Sequence, residues 1–121
     1  MAILAALLII ESLFAGLYVG RLVPALAGHD LSVVAVILAR GGVGALQFAA
    51  GWMLANRRPP GPALAGWAWL AAAVWTTLAV GLNLAPTMVY PWWRWQVTAA
   101  YCAYAAVGIL IVRRLSAGPP A

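Results

Sequence analysis

The stretch "AILAALLIIESLFAGLYVG", residues 2–20, is apolar along almost its whole length and carries one acidic side chain, Glu11. A helix rises ~1.5 Å per residue, so about 20 such residues cross the ~30 Å hydrocarbon core of a bilayer. The stretch is also longer than the ~7–15-residue apolar region of a cleaved signal peptide. It therefore predicts a membrane-spanning helix with a carboxylate near its middle.

Three more runs of the same character follow. Together the four runs predict helices over residues 2–22, 31–56, 64–84 and 92–113, with a short tail over 115–121, in one domain covering 1–121. The connections are short, so neighbouring helices are expected to run antiparallel. The predicted fold class is all-α, an integral-membrane four-helix bundle of up-down-up-down topology.

The composition excludes several classes of function. The chain is 66% hydrophobic and 7% charged, too little charge to solvate the surface of a soluble domain. The net charge of +5 comes from seven arginines, six of them at the ends of apolar runs, which does not predict a nucleic-acid partner. With one cysteine, Cys102, and one histidine, His29, the sequence predicts no metal site, no cofactor and no enzyme.

The arginines indicate the orientation of the chain. One predicted side of the membrane holds four of them and the other side two: Arg57, Arg58, Arg113 and Arg114, against Arg21 and Arg94. The positive-inside rule then places both termini in the cytoplasm. The expected location is the inner membrane of a bacterium, with the lipid bilayer as the first partner.

Tryptophans lie near both predicted boundaries, where their amphipathic rings prefer the headgroup level. The inner group is Trp52, Trp67 and Trp69, and the outer group is Trp92, Trp93 and Trp95. An aromatic belt is the simpler interpretation. Contact of the outer group with a quinone, a lipid headgroup or a partner protein is the alternative.

Glu11 has a possible counter-charge on the second helix. Glu11 and Arg40 each lie nine residues from the start of their apolar run, about 13 Å deep, and they enter from opposite sides. An unpaired charge at mid-membrane costs at least ~2.5–3.5 kcal/mol. We therefore expect a buried Glu11–Arg40 ion pair, because arginine stays protonated and can bind a carboxylate with two hydrogen bonds.

Other polar groups fall at similar depths and extend this prediction to an intramembrane polar cluster. Its further candidate members are Gln47, Thr76, Thr77, Tyr101 and Tyr104. Three interpretations stay open. The pair fixes helix packing, with the threonines bonded to their own backbone; or Glu11 binds a proton or cation while Arg40 tunes it or binds an anion; or one charge pairs with another chain.

Small residues recur at helical spacing beside these charges. Ser12, Gly16 and Gly20 share one face of the first predicted helix, and Gly41, Ala45 and Ala49 share one face of the second. Small side chains let helices approach closely in lipid, where no hydrophobic effect drives their association. The two faces predict the packing seam between these helices.

The length, the four predicted spans and Glu11 in the first helix resemble the small multidrug resistance transporters. The resemblance covers the topology and this one residue, and it implies proton-coupled export of cations through Glu11. The aromatic-rich signatures of that family's second and third helices are missing, and Arg40 would oppose a bound cation. The resemblance therefore does not assign the chain to the family.

Two functions are expected from these observations. The first is a non-catalytic accessory subunit that packs beside larger membrane proteins, because the loops are short and no catalytic motif is present. The second is a small oligomeric transporter or a proton or ion pathway that uses Glu11 and Arg40 at mid-membrane. A transporter should keep Glu11 reachable by water, whereas a subunit can bury it.

Overall fold

The computed structural model describes residues 2–28, 30–86 and 89–116, and every regular element within these ranges is helical. The four long helices are α1 (Ala2–Leu22), α2 (Leu31–Ala55), α3 (Gly61–Thr76) and α4 (Arg94–Ser116). Two features singled out in the sequence, His29 and residues 117–121 of the tail, lie outside the described residues.

Short helical segments extend three of these helices. A 3₁₀ segment, Val23–Gly28, follows α1, a π-helical segment, Thr77–Gly81, follows α3, and a 3₁₀ segment, Pro91–Trp93, leads into α4. With these extensions, four helices of the described chain are long and apolar enough to cross a membrane. This confirms an all-helical fold over the described residues and indicates a multi-pass membrane protein.

The exposed surface has the same apolar character. Large side chains such as Ile3, Leu13 and Leu110 are 77%, 61% and 61% exposed. A soluble monomer rarely exposes wide contiguous apolar surface, whereas lipid tails solvate it. The outward faces of the helices therefore suit a bilayer.

The helix ends have identifiable local causes. α3 begins at Gly61, three residues before the predicted start, because Pro62 in the first turn needs no hydrogen-bonded N–H there. α2 ends at Ala55; Arg57, two residues later, is in the left-handed region at φ 54°, and the Arg58 N–H donates to the Met53 carbonyl. Asp30 occupies the N-cap position of α2, but its side chain makes no capping hydrogen bond.

Helices that follow one another in the chain pack against one another: α1 on α2, α2 on α3 and α3 on α4. The main core draws buried residues from all four helices, among them Leu8, Ala50, Trp69 and Ala105. A second, smaller core surrounds Ile37 and Ala79. Both cores contain many small side chains, so the backbones approach closely.

Gly44 and Gly51 make the close seam between α1 and α2. A Cβ atom at Gly44 would lie 2.6 Å from the Ala15 Cβ, and one at Gly51 would lie 2.9 Å from the Ala5 carbonyl oxygen. From Gly44 to Gly51, toward the C-terminus of α2, the contacted residues move from Ala15 to Ala5, toward the N-terminus of α1.

This seam differs from the small-residue faces expected from the sequence. Gly16 and Gly20 lie on an exposed face, with nothing within 4 Å of an added Cβ, and Ala45 is exposed as well. Gly41 is near the seam, 3.7 Å from a Val19 methyl carbon. The remaining two positions, Ser12 and Ala49, are partly buried. Each helix carries more than one stripe of small residues. On α2 the stripe that faces α1 is the one with Gly44 and Gly51, and the predicted stripe lies to its side.

Candidate functional site

The carboxylate of Glu11, on α1, accepts hydrogen bonds from three aromatic side chains. The Trp69 indole Nε1 and the Tyr104 hydroxyl each donate to Oε2 at 3.0 Å, and the Tyr101 hydroxyl donates to Oε1. An ionised carboxylate only accepts hydrogen bonds, so three donors match its chemistry. We call Glu11, Trp69, Tyr101 and Tyr104 the carboxylate cluster.

Helix geometry explains how the donors converge. Tyr101 and Tyr104 are three residues apart on α4 and therefore share one face of the helix. Trp69 of α3 is 0% exposed, and its ring lies against Gly108 of α4, where a Cβ atom would approach three ring carbons to 3.0 Å. The missing side chain at Gly108 thus makes room for the indole.

The rings also contact one another. Trp69 and Tyr104 meet edge to face with centroids 6.2 Å apart, and the Tyr101 and Tyr104 centroids are 5.5 Å apart. Edge-to-face pairs of this kind are favourable contacts between aromatic quadrupoles. The rings therefore hold the three donors in place around Glu11.

Arg40 does not form the expected ion pair with Glu11. No nitrogen of Arg40 lies within 4.0 Å of the Glu11 carboxylate oxygens in the described structure. Instead, Nη1 donates to the Gln47 Oε1 at 3.0 Å and Nη2 donates to the backbone carbonyl of Glu11 at 3.4 Å. The guanidinium also lies 5.5 Å from the centre of the Trp75 ring, within cation–π range.

The reason for this correction is competition among partners. The predicted ion pair matched the two charges of the first two helices by depth alone, whereas α3 and α4 present three neutral donors to the carboxylate, two of them the candidate tyrosines Tyr101 and Tyr104. The Arg40 side chain follows its own helix toward Gln47, seven residues further on. The two charges share one region of the bundle but have separate hydrogen-bond partners.

Gln47 is completely buried, at 0% exposure, and is only half satisfied. Its Oε1 accepts the bond from Arg40, while its Nε2 has no hydrogen-bond partner. Buried polar groups are almost always hydrogen-bonded, so this donor is exceptional.

The two threonines named as candidates lie apart from the carboxylate cluster. The Thr76 hydroxyl donates to the Ala72 carbonyl at 2.8 Å, and the Thr77 hydroxyl donates to the Ala73 carbonyl at 2.9 Å. Both are bonds to the preceding helical turn, which threonine commonly makes in helices. The structure therefore brings together Glu11, Tyr101 and Tyr104 on one side and Arg40 with Gln47 on the other.

Trp69 lies in the carboxylate cluster and not in the aromatic belt where the sequence had placed it. Trp67, two residues earlier, is rotated about 200° away and is 64% exposed. The early start of α3 at Gly61 also puts Trp69 about 12 Å into the helix. The other proposed belt residues are more than half exposed: Trp52, Trp67, Trp92, Trp93 and Trp95.

Sequence reasoning also missed two residues that join neighbouring segments. The Trp75 indole donates to the Val36 carbonyl at 2.7 Å, and the Tyr18 hydroxyl donates to the Pro86 carbonyl at 2.8 Å. Their rings meet edge to face at 5.4 Å. The position of Trp75 midway along the predicted run 64–84, away from the headgroups, was the available signal for the first; Tyr18, near the end of α1, gave none.

Two surface cavities lie away from the carboxylate cluster. A groove of about 500 Å³ runs between the Pro62 end of α3 and the Arg113 end of α4, and no residue of the carboxylate cluster lines it. Within the described residues, no three His, Cys, Asp or Glu side chains come together to hold a metal ion.

Comparison of the chain with protein-family models, curated proteins and solved structures finds no match.

Proposed function

We propose that this chain is a small multi-pass protein of a bacterial inner membrane and acts as a non-catalytic subunit beside larger membrane proteins. Its helices would cross the bilayer in an up-down-up-down bundle with both termini in the cytoplasm. This proposal rests on one observation: the Glu11 carboxylate is hydrogen-bonded by Trp69, Tyr101 and Tyr104 of the same chain. The carboxylate then serves as a link between α1 and the pair α3 and α4.

A linking role suits the way the helices pack. Close backbone packing joins each helix to the next one in the chain, from α1 through to α4. Glu11 adds side-chain bonds from the first helix to the last, which sequential packing does not supply. Such bonds fix one arrangement of four apolar helices that could otherwise rotate.

The outward face of α1 offers a surface for a partner helix. Gly16 and Gly20 leave open space where a side chain would be, and Phe14 and Leu17 beside them are 64% and 63% exposed. Small residues four apart, flanked by large apolar ones, favour close helix–helix packing in lipid. A transmembrane helix of a larger protein is the partner this face suits.

Gentle purification tests the proposal. A tagged chain is extracted from its native membrane in mild detergent, and the co-purified proteins are quantified by mass spectrometry. We expect near-stoichiometric recovery of a larger membrane protein with the wild type. The double variant Gly16→Leu with Gly20→Leu should lose it, whereas Gly42→Leu on the open side of α2 should keep it.

Recovery of the chain by itself as a dimer or larger oligomer would contradict this proposal and favour the second candidate, a small transporter. One observation supports that candidate. Glu11 and Arg40 are both partly buried and are not paired with each other, so either could exchange its partner for a transported species. Uptake of protons or ions into proteoliposomes would establish the transporter, provided that Glu11→Gln abolishes the uptake and Gln96→Glu preserves it.

A further inference from the structure

The groove of about 500 Å³ between α3 and α4 is elongated along the helices. Its α3 side carries Pro62, Gly66 and Leu70, which are four residues apart and therefore share one face of that helix. Its α4 side carries Ile109 and Arg113, which are also four residues apart. The groove thus follows the helix axes for about 12 Å, the rise over the eight residues from Pro62 to Leu70.

Small side chains on α3 keep this groove open. Gly66 has nothing within 4 Å of an added Cβ atom, and Ala63, one turn earlier, contributes only a methyl group. Trp67 and Leu70 also line the groove and are exposed. Its volume lies within the ~300–1,000 Å³ typical of ligand pockets.

The groove is apolar along its length and charged at one end. Arg113 is the one charged side chain among its described lining residues, and it lies in the last turn of α4. On helices that cross a bilayer, an exposed apolar groove opens to lipid tails, which run in the same direction as the helices. An acyl chain therefore matches both the chemistry and the direction of the groove.

Three further arginines belong to the end of the bundle where Arg113 lies. They are exposed, and they either follow Arg113 directly or precede α3: Arg57, Arg58 and Arg114. Backbone hydrogen bonds fix the turn before α3, since the Arg58 N–H donates to the Met53 carbonyl and the Gly61 N–H donates to the Arg58 carbonyl. Pro59, the next residue after Arg58, itself lines the groove.

The two acidic side chains of the sequence lie away from this end. Glu11 is in the middle of α1, and Asp30 is at the start of α2, the opposite end of that helix from Arg57 and Arg58. An anionic headgroup therefore complements this end of the bundle, where each arginine near the membrane surface strengthens its binding about fivefold. A second copy in the same orientation would instead bring four more arginines to the same level.

We propose that the α3–α4 groove binds an anionic phospholipid. The phosphate lies at Arg113 and the arginines of the turn before α3, and one acyl chain lies along residues 62–70. The site does not depend on whether the chain is a subunit or a transporter, because it uses no residue of α1 and none of the carboxylate cluster.

The test uses the purified chain in detergent micelles after removal of native lipid. Phosphatidylglycerol, phosphatidylcholine with the same acyl chains, and glycerol phosphate are titrated separately. The thermal midpoint is followed, and native mass spectrometry counts the retained lipids. We expect a saturable rise of the midpoint and one retained lipid with phosphatidylglycerol, since a ligand of the folded state stabilises it.

The other two ligands separate the headgroup from the chains. Phosphatidylcholine should bind at least fivefold more weakly, on the order of the loss of one arginine–anion attraction. Glycerol phosphate has the anionic group without an acyl chain and should have no effect. Equal midpoints with the two lipids would overturn the proposal and leave the groove to an apolar segment of a partner protein. A rise with glycerol phosphate equal to that with phosphatidylglycerol would overturn it as well.

Two arginine variants form a matched pair for the headgroup. Arg113→Gln and Arg21→Gln each remove an exposed arginine from the last turn of a long helix, α4 and α1 respectively. Arg113→Gln should weaken phosphatidylglycerol about fivefold, whereas Arg21→Gln should leave its binding unchanged. Equal weakening in both variants would reflect attraction by the net charge of the protein and would contradict a site in the groove.

Two glycine variants form a matched pair for the acyl chain. Gly66 and Gly42 both have open space where a side chain would be, so leucine at either position should preserve the fold. Gly66→Leu fills the groove and should abolish the saturable response to phosphatidylglycerol, whereas Gly42→Leu on α2 should keep it. A full response in Gly66→Leu would mean that the lipid binds elsewhere and would overturn the proposal.

Discussion

At the scale of single residues, hydrogen-bond donors determine where the Glu11 carboxylate lies. Three aromatic donors from two helices hold its oxygens, although a guanidinium is bonded to the backbone of the same residue. A carboxylate with several good donors does not need a contact ion pair, since hydrogen bonds to a charged group are stronger than neutral ones. The role of Glu11 therefore depends on the aromatic residues around it.

Glu11→Leu should therefore cost much more stability than Glu11→Gln. Leucine leaves three donors without an acceptor, and we expect the free energy of unfolding to fall by more than about 3 kcal/mol. In Glu11→Gln the amide oxygen still accepts, and the amide N–H can donate to a tyrosine oxygen, so a loss of about 1 kcal/mol is expected. Unfolding in mixed detergent and denaturing-detergent micelles measures both, and equal losses would contradict the three-donor arrangement.

Trp69 and Trp67 provide a matched pair on one helix. Trp69→Phe deletes the indole N–H that bonds Glu11 and shrinks a fully buried ring, so we expect a loss of about 1–3 kcal/mol. Trp67→Phe changes a ring that is 64% exposed and should be within ~0.5 kcal/mol of the wild type. Thermal midpoints in detergent compare the two variants. A larger loss at Trp67 would mean that α3 is rotated differently.

At the scale of helices, the α1–α2 seam depends on glycines at particular turns of α2. Gly51 faces the backbone of α1, where the Ala5 carbonyl and the Leu8 Cβ lie 2.9 Å and 3.2 Å from an added Cβ. A backbone carbonyl cannot rotate away as a flexible side chain can. The helices must therefore separate if this position gains a methyl group.

Gly51→Ala should destabilise the protein, although alanine favours helix. The separation of α1 and α2 is expected to cost about 1–3 kcal/mol, more than the ~1 kcal/mol that alanine gains in helix propensity. Gly42→Ala, on the same helix with open space around it, is the control and should be neutral or slightly stabilising. The free energy of unfolding of both variants is measured in the same detergent. An unchanged value for Gly51→Ala would mean that α1 and α2 are further apart at Gly51 than in the structure.

At the scale of the whole molecule, the proposed orientation follows from the arginines. The Arg57–Arg58 pair after α2 and the Arg113–Arg114 pair at the end of α4 would face the cytoplasm under the positive-inside rule. The segment after α1, ending at Gly28, would then face the opposite side.

Single cysteines test this orientation. Cys102 is the only cysteine of the chain, so Cys102→Ser provides a thiol-free background. In intact spheroplasts, a membrane-impermeant maleimide should label Gly28→Cys, while Asn56→Cys should react only after lysis. Both positions are exposed at helix ends, which makes them a matched pair. The reverse pattern would invert the proposed topology, and equal labelling of both would indicate dual topology.

The sequence by itself determined the number of helices and their apolar character, because a run of about 20 apolar residues needs no partner to be recognised as a spanning helix. It also identified Glu11, Arg40, Gln47, Tyr101 and Tyr104 as polar groups in the middle of such runs. Only the tertiary structure decided which of them meet. In a helix that is apolar all round, periodicity does not mark the buried face, so neither the rotation of α3 that buries Trp69 nor the buried stripe of small residues could be read from the sequence. The carboxylate followed the aromatic donors that this rotation brought to it, and Arg40 was left with Gln47.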